Sequence, residues 1–241
     1  MLNAAFFILI SLCVLLGAVA CVSGNGDRPA VQDYEAQRRA MVAAQLRARD
    51  ITSPRVLDAM LKVPRHLFVP EPQRHDAYGD FPVPIGHGQT ISQPYIVAFM
   101  TQALEVRPSD RILEIGTGSG YQAAVLAELA KDVYTIEIVE PLATQARETL
   151  DSLGYRNVHV RAGNGYLGWP EEAPFDRVIV TAAPDEVPPA LVEQLKVDGV
   201  MAIPVGDVVQ ELRILRKTRE GLETLETLPV RFVPMTGKPG K

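Results

Sequence analysis

The stretch LEIGTGSGYQ, Leu113–Gln122, decides the fold. The apolar run Arg111–Ile115 reads as a buried strand, and a helix begins near Tyr121. Between them, glycines stand at every second position: Gly116, Gly118 and Gly120. Glycine lets a backbone turn tightly and approach a ligand with no Cβ in the way. The turn delivers the chain to a helix N-terminus, whose free N–H groups favour anionic groups. A strand, a glycine turn and a helix in that order build a crevice for a nucleotide-like cofactor.

The spacing narrows the cofactor. A dinucleotide fold carries G-x-G-x-x-G after its first strand and an acid about 20 residues on. Here the glycines run G-x-G-x-G, with Glu114 just before them and Glu137 near the end of the next apolar run, DVYTIEIV. A carboxylate at that strand end can accept from both ribose hydroxyls. The E-x-G-x-G-x-G run with Glu137 resembles the S-adenosylmethionine-dependent methyltransferases. That resemblance implies a cofactor site made by Glu114, Gly116, Gly118, Gly120 and Glu137. A nicotinamide dehydrogenase is disfavoured by the spacing and by the lack of a hydride-transfer constellation.

Working outward, apolar runs recur at 111–115, 133–138, 157–161 and 176–181, with helical stretches at 120–131 and 140–152. A helix over 188–196 leads to a strand over 199–204. Alternating strand and helix means a parallel sheet covered on both faces. The runs 209–216 and 223–232, joined at Glu220-Gly221, read as an antiparallel hairpin. The fold class is α/β: a doubly wound, mostly parallel seven-stranded sheet, Rossmann-like, with N-terminal helices and a C-terminal antiparallel hairpin.

Upstream, residues 33–49 are helical by pattern, with Met41, Val42 and Leu46 on one side. Ser53-Pro54, a cap followed by proline at the first helical position, starts a short helix ending before Pro64. Residues 64–90 hold five prolines and three glycines and read as a long irregular loop of functional type. Ser92 is placed to cap the next helix, 93–105.

Charge and composition exclude other classes. The net charge of −5 gives no electrostatic case for nucleic acid. Both cysteines, Cys13 and Cys21, precede residue 23, so neither a disulfide framework nor a cysteine metal site is open to the rest of the chain. The histidines show no ligand spacing, and no metal is expected. Residues 1–22 are apolar, and no charged side chain stands before Asp27. Ala18-Val19-Ala20 fits a cleavage site, and Cys21 fits a lipidated cysteine. The run from Ala4 to Val22 is also long enough to span a bilayer, and the arginines after it favour a cytoplasmic catalytic domain. An exported methyltransferase would need a cofactor made in the cytosol. Both the inward-facing anchor and export (periplasmic or as a lipoprotein) stay open. The expected organisation is a signal or anchor over 1–22, a linker over 23–32, a methyltransferase domain over 33–236 and a tail over 237–241. Membrane contact is expected only through residues 1–22, and oligomeric state is not legible.

A more specific signal is PIGHGQTISQPYIV, residues 84–97. Together with AYGD (77–80), LEIGTGSGYQ, GNGYLGWPEEAPFDRVIVTAA (163–183) and RFVP (231–234), it closely resembles the protein-L-isoaspartate O-methyltransferases over residues 35–236. The resemblance implies S-adenosyl-L-methionine-dependent methylation of the α-carboxylate of isoaspartyl residues in damaged proteins and peptides. It implies Ser92 as the active-site serine. Gln89, Thr90 and Ile91 fall in the loop lining cofactor and substrate, Gly116 at the methionine end, Glu137 at the ribose, and Asn164 and Gly165 beside the adenine. The family commonly has Asp where Asn164 stands and often Gln where His87 stands. An amide oxygen can still accept from the adenine amino group.

The residues suit the chemistry. A carboxylate nucleophile is already ionised at neutral pH, so no strong base is required. Alignment with water kept out is the task, and a Ser92 hydroxyl can orient the carboxylate. His87 reads as a solvated loop residue, Trp169 as core, Asp176 as a cap or ion-pair partner at a strand start, and Thr181-Ala182-Ala183 as room for substrate. Asn164-Gly165 is of the pair most prone to deamidation, which would restore an aspartate or damage the site. The competing readings are a methyltransferase for another carboxylate or a small molecule, and a non-catalytic membrane-tethered binding module.

Overall fold

The computed structural model describes residues 33–238. Asp33 accepts from the Ala36 N–H at 2.9 Å and opens α1, Tyr34–Met41, which runs on as a π-helical turn, Val42–Arg47. Met41, Val42 and Leu46 are buried, as the pattern requires. Ser53 caps α2, Pro54–Lys62, through a long 3.5 Å bond from Val56 N–H. The segment after it is not irregular. It makes 3₁₀ turns at Arg65–Phe68 and Glu71–Asp76, then a hairpin of β1, Val83–Gly86, and β2, Gln89–Ile91. The hairpin was hidden because strands of four and three residues are too short for a period to show.

Helix α3, Pro94–Ala103, has Gln93 and not Ser92 as its N-cap residue, with no side-chain cap bond. The expected Ser92 cap is thus corrected: proline at the first helical position has no N–H to satisfy, and Gln93 instead donates to Asp80. Then come β3, Arg111–Ile115; α4, Tyr121–Ala127; β4, Asp132–Glu137; α5, Glu140–Ser152; β5, Val158–Ala162; and β6, Phe175–Val180. Helix α6, Pro189–Gln194, stops short of the expected 196, because β7, Leu195–Val205, begins there to pair with β6 through a bulge. The hairpin of β8, Gln210–Lys217, and β9, Leu222–Val230, is present, but Arg231 and Phe232 have left the strand.

The seven strands lie in the order β5-β4-β3-β6-β7-β8-β9, parallel from β5 to β7 and antiparallel beyond. Alternate residues of β3 feed two cores: Ile112 joins the core containing α2, α3 and α4, while Leu113 and Ile115 join the one containing α6. The chain winds outward from β3 to β5, then returns to β6 on the other side of β3. That reversal leaves a crevice at the carboxyl ends of β3 and β6, where doubly wound folds take their ligands.

Candidate active site

The crevice is built on the turn after β3. Gly116 has φ +94°, and a Cβ on it would lie 2.4 Å from the Thr181 hydroxyl oxygen. That hydroxyl donates to the carbonyls of Ile115 and Gly116, at 3.1 and 2.7 Å. Gly120, at φ +87°, is the left-handed entry to α4 and packs on Leu150 and Ala146. Of the three glycines, Gly116 and Gly118 line the crevice, and Gly120 seats the helix behind it.

Glu137 ends β4 with its carboxylate on the crevice wall. One oxygen accepts from Gly118 N–H at 2.7 Å and the other from Val139 N–H at 2.9 Å. Each oxygen keeps a lone pair for a further donor. Gln89 and Thr90 of β2, Ile136, Gly165, Thr181 and Ala182 complete the wall, with Val233–Thr236 facing them. The crevice is partly open to solvent. Residues 233–235 are held by Ala183, whose N–H donates to Val233 O and whose carbonyl accepts from Met235 N–H, both at 2.8 Å.

A second, wider groove runs beside it, lined by Ser92, Gln93, Ile96, Gln210 and Val230–Pro234 among others. Thr90 and Thr181 line both spaces, so the two meet there. Ser92 lines the groove and not the crevice.

The other expected residues fall in different places. Ile91 is buried below the hairpin, lining only a small cleft between the two spaces. Glu114 does not reach the crevice. It is 0% exposed, and neither carboxylate oxygen has a hydrogen-bond partner. Burial pushes its pKa up to about 8; the Thr135 hydroxyl opposes that rise, and the Glu137 charge adds to it. Asn164 is not on the crevice wall either. Its Oδ1 accepts from Tyr166 N–H at 3.0 Å, and its Nδ2 donates to Gly237 O at 2.6 Å. Residue 237, expected in a free tail, is thus latched beside the site. Gly165 does line it, and a Cβ there would meet Ile115 at 2.3 Å.

His87 is exposed at the tip of the β1–β2 turn. Trp169 packs edge-on to Tyr134, and Asp176 pairs with Lys196 at 2.7 Å and accepts from Arg111 N–H. Sequence reasoning gave no site role to two groups: the strap Val233–Thr236, which follows the run 223–232 expected as strand, and Arg65, a charged residue that is wholly buried. Among the described residues, no cluster of His, Cys, Asp or Glu could hold a metal ion, and no helix is long and apolar enough to cross a membrane. Residues 1–22, on which the anchor and export expectations fall, lie outside the described residues.

Residues 36–240 match the family described as protein-L-isoaspartate(D-aspartate) O-methyltransferase. The chain belongs to this family. Two of its relatives carry the name protein-L-isoaspartate O-methyltransferase. The protein of Opitutus terrae is 61% identical over 203 residues, covering 83% of this chain and 87% of the relative. That of Synechococcus sp. strain JA-2-3B'a(2-13) is 58% identical over 210 residues, covering 84% and 86%. A Plasmodium falciparum protein-L-isoaspartate O-methyltransferase, solved with S-adenosyl-L-homocysteine, superposes with a TM-score of 0.70 at 27% identity, covering 85% of this chain and 99% of that one. As a member of the family, the chain is an S-adenosylmethionine-dependent carboxyl methyltransferase of L-isoaspartyl residues, the first step of their repair through a succinimide.

Proposed function

We propose that S-adenosyl-L-methionine lies along the crevice with its ribose at Glu137, and that the isoaspartyl segment lies in the groove with its α-carboxylate at Ser92. The observation that carries this reading is the junction: Thr90 and Thr181 border both spaces, and Ser92 stands on the groove side of it. The crevice suits the cofactor, since a Cβ at Gly116 or Gly165 would collide with Thr181 or Ile115 of its wall and distort it, and Glu137 offers free lone pairs to hydroxyl donors.

When bound, the cofactor supplies a sulfonium methyl, which passes to a carboxylate oxygen as the C–S bond breaks and its electron pair stays on sulfur. Gly116 and Gly118 let the backbone approach that end of the cofactor. Ser92 donates its hydroxyl to one carboxylate oxygen and so orients the other. The β1–β2 hairpin and the Val233–Pro234 strap flank the junction, so that bound cofactor and substrate would displace water there and strengthen each of these interactions. Isoaspartyl chain is recognised as a flexible backbone segment laid in an open groove; a small-molecule substrate would not need that length.

Labelled-methyl transfer to an L-isoaspartyl peptide, set against the matched aspartyl peptide, tests the reading. Strong labelling of the first alone is expected, and equal labelling of both would overturn it. We further propose that residues 1–22 tether the catalytic domain on the cytosolic side, where the cofactor is made. A reporter active only outside the cytoplasm, fused after residue 30, is expected to stay silent; a strong signal would assign export instead.

A further inference from the structure

Arg65 is 0% exposed and, among the described residues, has no carboxylate partner; the groups acting on its charge are Tyr121 and Tyr78. Its Nε donates to Ala77 O at 2.6 Å and its Nη2 to Ser92 O at 2.7 Å. The guanidinium carbon lies 4.8 Å from the centre of the Tyr121 ring. Nη1 is buried with no hydrogen-bond partner. Burial lowers its pKa to about 10, so the group remains a cation at neutral pH. A buried charge without a counter-ion is expensive. Two carbonyls and an aromatic face offset part of that cost and leave the net charge in place.

The position of the charge explains its retention. Ser92 and Tyr121, both touching Arg65, line the small cleft that opens between crevice and groove. Arg65 therefore stands directly behind the place where the substrate's carboxylate is read to sit, in surroundings that screen it weakly. We infer that Arg65 is a positioning residue that fixes Ser92 through its carbonyl and makes the Ser92 site selective for an anion over a neutral group of the same shape. The reaction consumes that anion: a carboxylate enters and an uncharged methyl ester results. The same field that favours substrate thus releases product.

This inference rests on the reading of Ser92 as the carboxylate's partner. Its test uses the full chain saturated with S-adenosyl-L-homocysteine, so that nothing turns over. Calorimetry measures the dissociation constants of an L-isoaspartyl peptide and of the same peptide with the α-carboxylate replaced by a carboxamide. Wild type is expected to favour the acid by about tenfold or more. Arg65→Lys keeps the charge and should keep that ratio even though both peptides bind less tightly. Arg65→Gln keeps donors without charge and should bring the ratio below about threefold. If Arg65→Gln weakens both peptides equally, Arg65 is only a brace and the inference is overturned. Should Arg65→Gln fail to fold, loss of the ratio in Arg65→Lys overturns it. Equal binding of the two peptides by wild type also overturns it while leaving the groove reading intact. Binding of neither peptide sinks both.

Discussion

Glu137 and Gly118 are bonded across the floor of the crevice, carboxylate oxygen to backbone N–H, at 2.7 Å. The bond ties the end of β4 to the turn after β3, so one side chain sets the shape of the turn and presents lone pairs to the ligand. Glu137→Ala removes both functions. S-adenosyl-L-homocysteine affinity should fall by about 1–3 kcal/mol, the worth of charge-assisted hydrogen bonds, as read by calorimetry. Unchanged affinity would mean that the ribose sits elsewhere.

Ser92 caps no helix, since α3 begins after Gln93. Ser92→Ala should therefore leave the thermal midpoint near wild type while kcat on an isoaspartyl peptide drops and cofactor affinity holds. A large fall in the midpoint with normal kcat would return Ser92 to a structural role.

Glu114 gives stability a pH dependence. Its carboxyl has an ordinary pKa of 4.5 and a folded one of about 8. Between those values the folded state holds a proton that the unfolded state has lost, so its contribution is full below about pH 4.5 and drains away as pH rises toward 8. Glu114→Gln removes the titration. Urea unfolding across pH 4–9 should show near-equal stability at the acid end and a variant more stable by on the order of a few kcal/mol at the alkaline end. A variant with the wild-type slope would show that another group titrates.

Asn164→Asp keeps an acceptor for Tyr166 N–H but has no hydrogen to give the Gly237 carbonyl. The strap over the crevice should loosen, and S-adenosyl-L-homocysteine affinity should weaken about three- to tenfold, the value of one hydrogen bond. Tighter binding would instead assign residue 164 to the cofactor itself.

The same two bonds hold the Asn164 amide at both ends, against the deamidation that the Asn-Gly pair invites. Peptide mapping by mass spectrometry should find Asn164 intact after long incubation of folded protein at mild alkaline pH and converted in urea. Equal conversion in both would show that the latch does not restrain it.

The legible parts of this protein are those whose signal is local. LEIGTGSGYQ carries its strand, turn and helix in ten consecutive residues, and Glu137 was found because one further strand brings it back to the same sheet edge. Ser53, read as a cap, acts within three residues. Where the reading failed, competing contacts won. β1 and β2 hid in a proline-rich stretch because they pair mainly with each other. Glu114 sits on the strand that made the motif visible, yet it points into the core and not into the crevice.

The sequence by itself determined the α/β class, the alternation of strands and helices from β3 onward and the glycine turn, because periodicity and turn chemistry act over neighbouring residues. Only the tertiary structure decided that Thr181 bonds the Gly116 carbonyl, that Arg65 bonds the Ser92 carbonyl, and that Asn164 latches Gly237. Those contacts join segments far apart in the chain, and each depends on what surrounds it: burial turns an arginine into an unscreened charge, and a carbonyl within reach turns an amide into a latch.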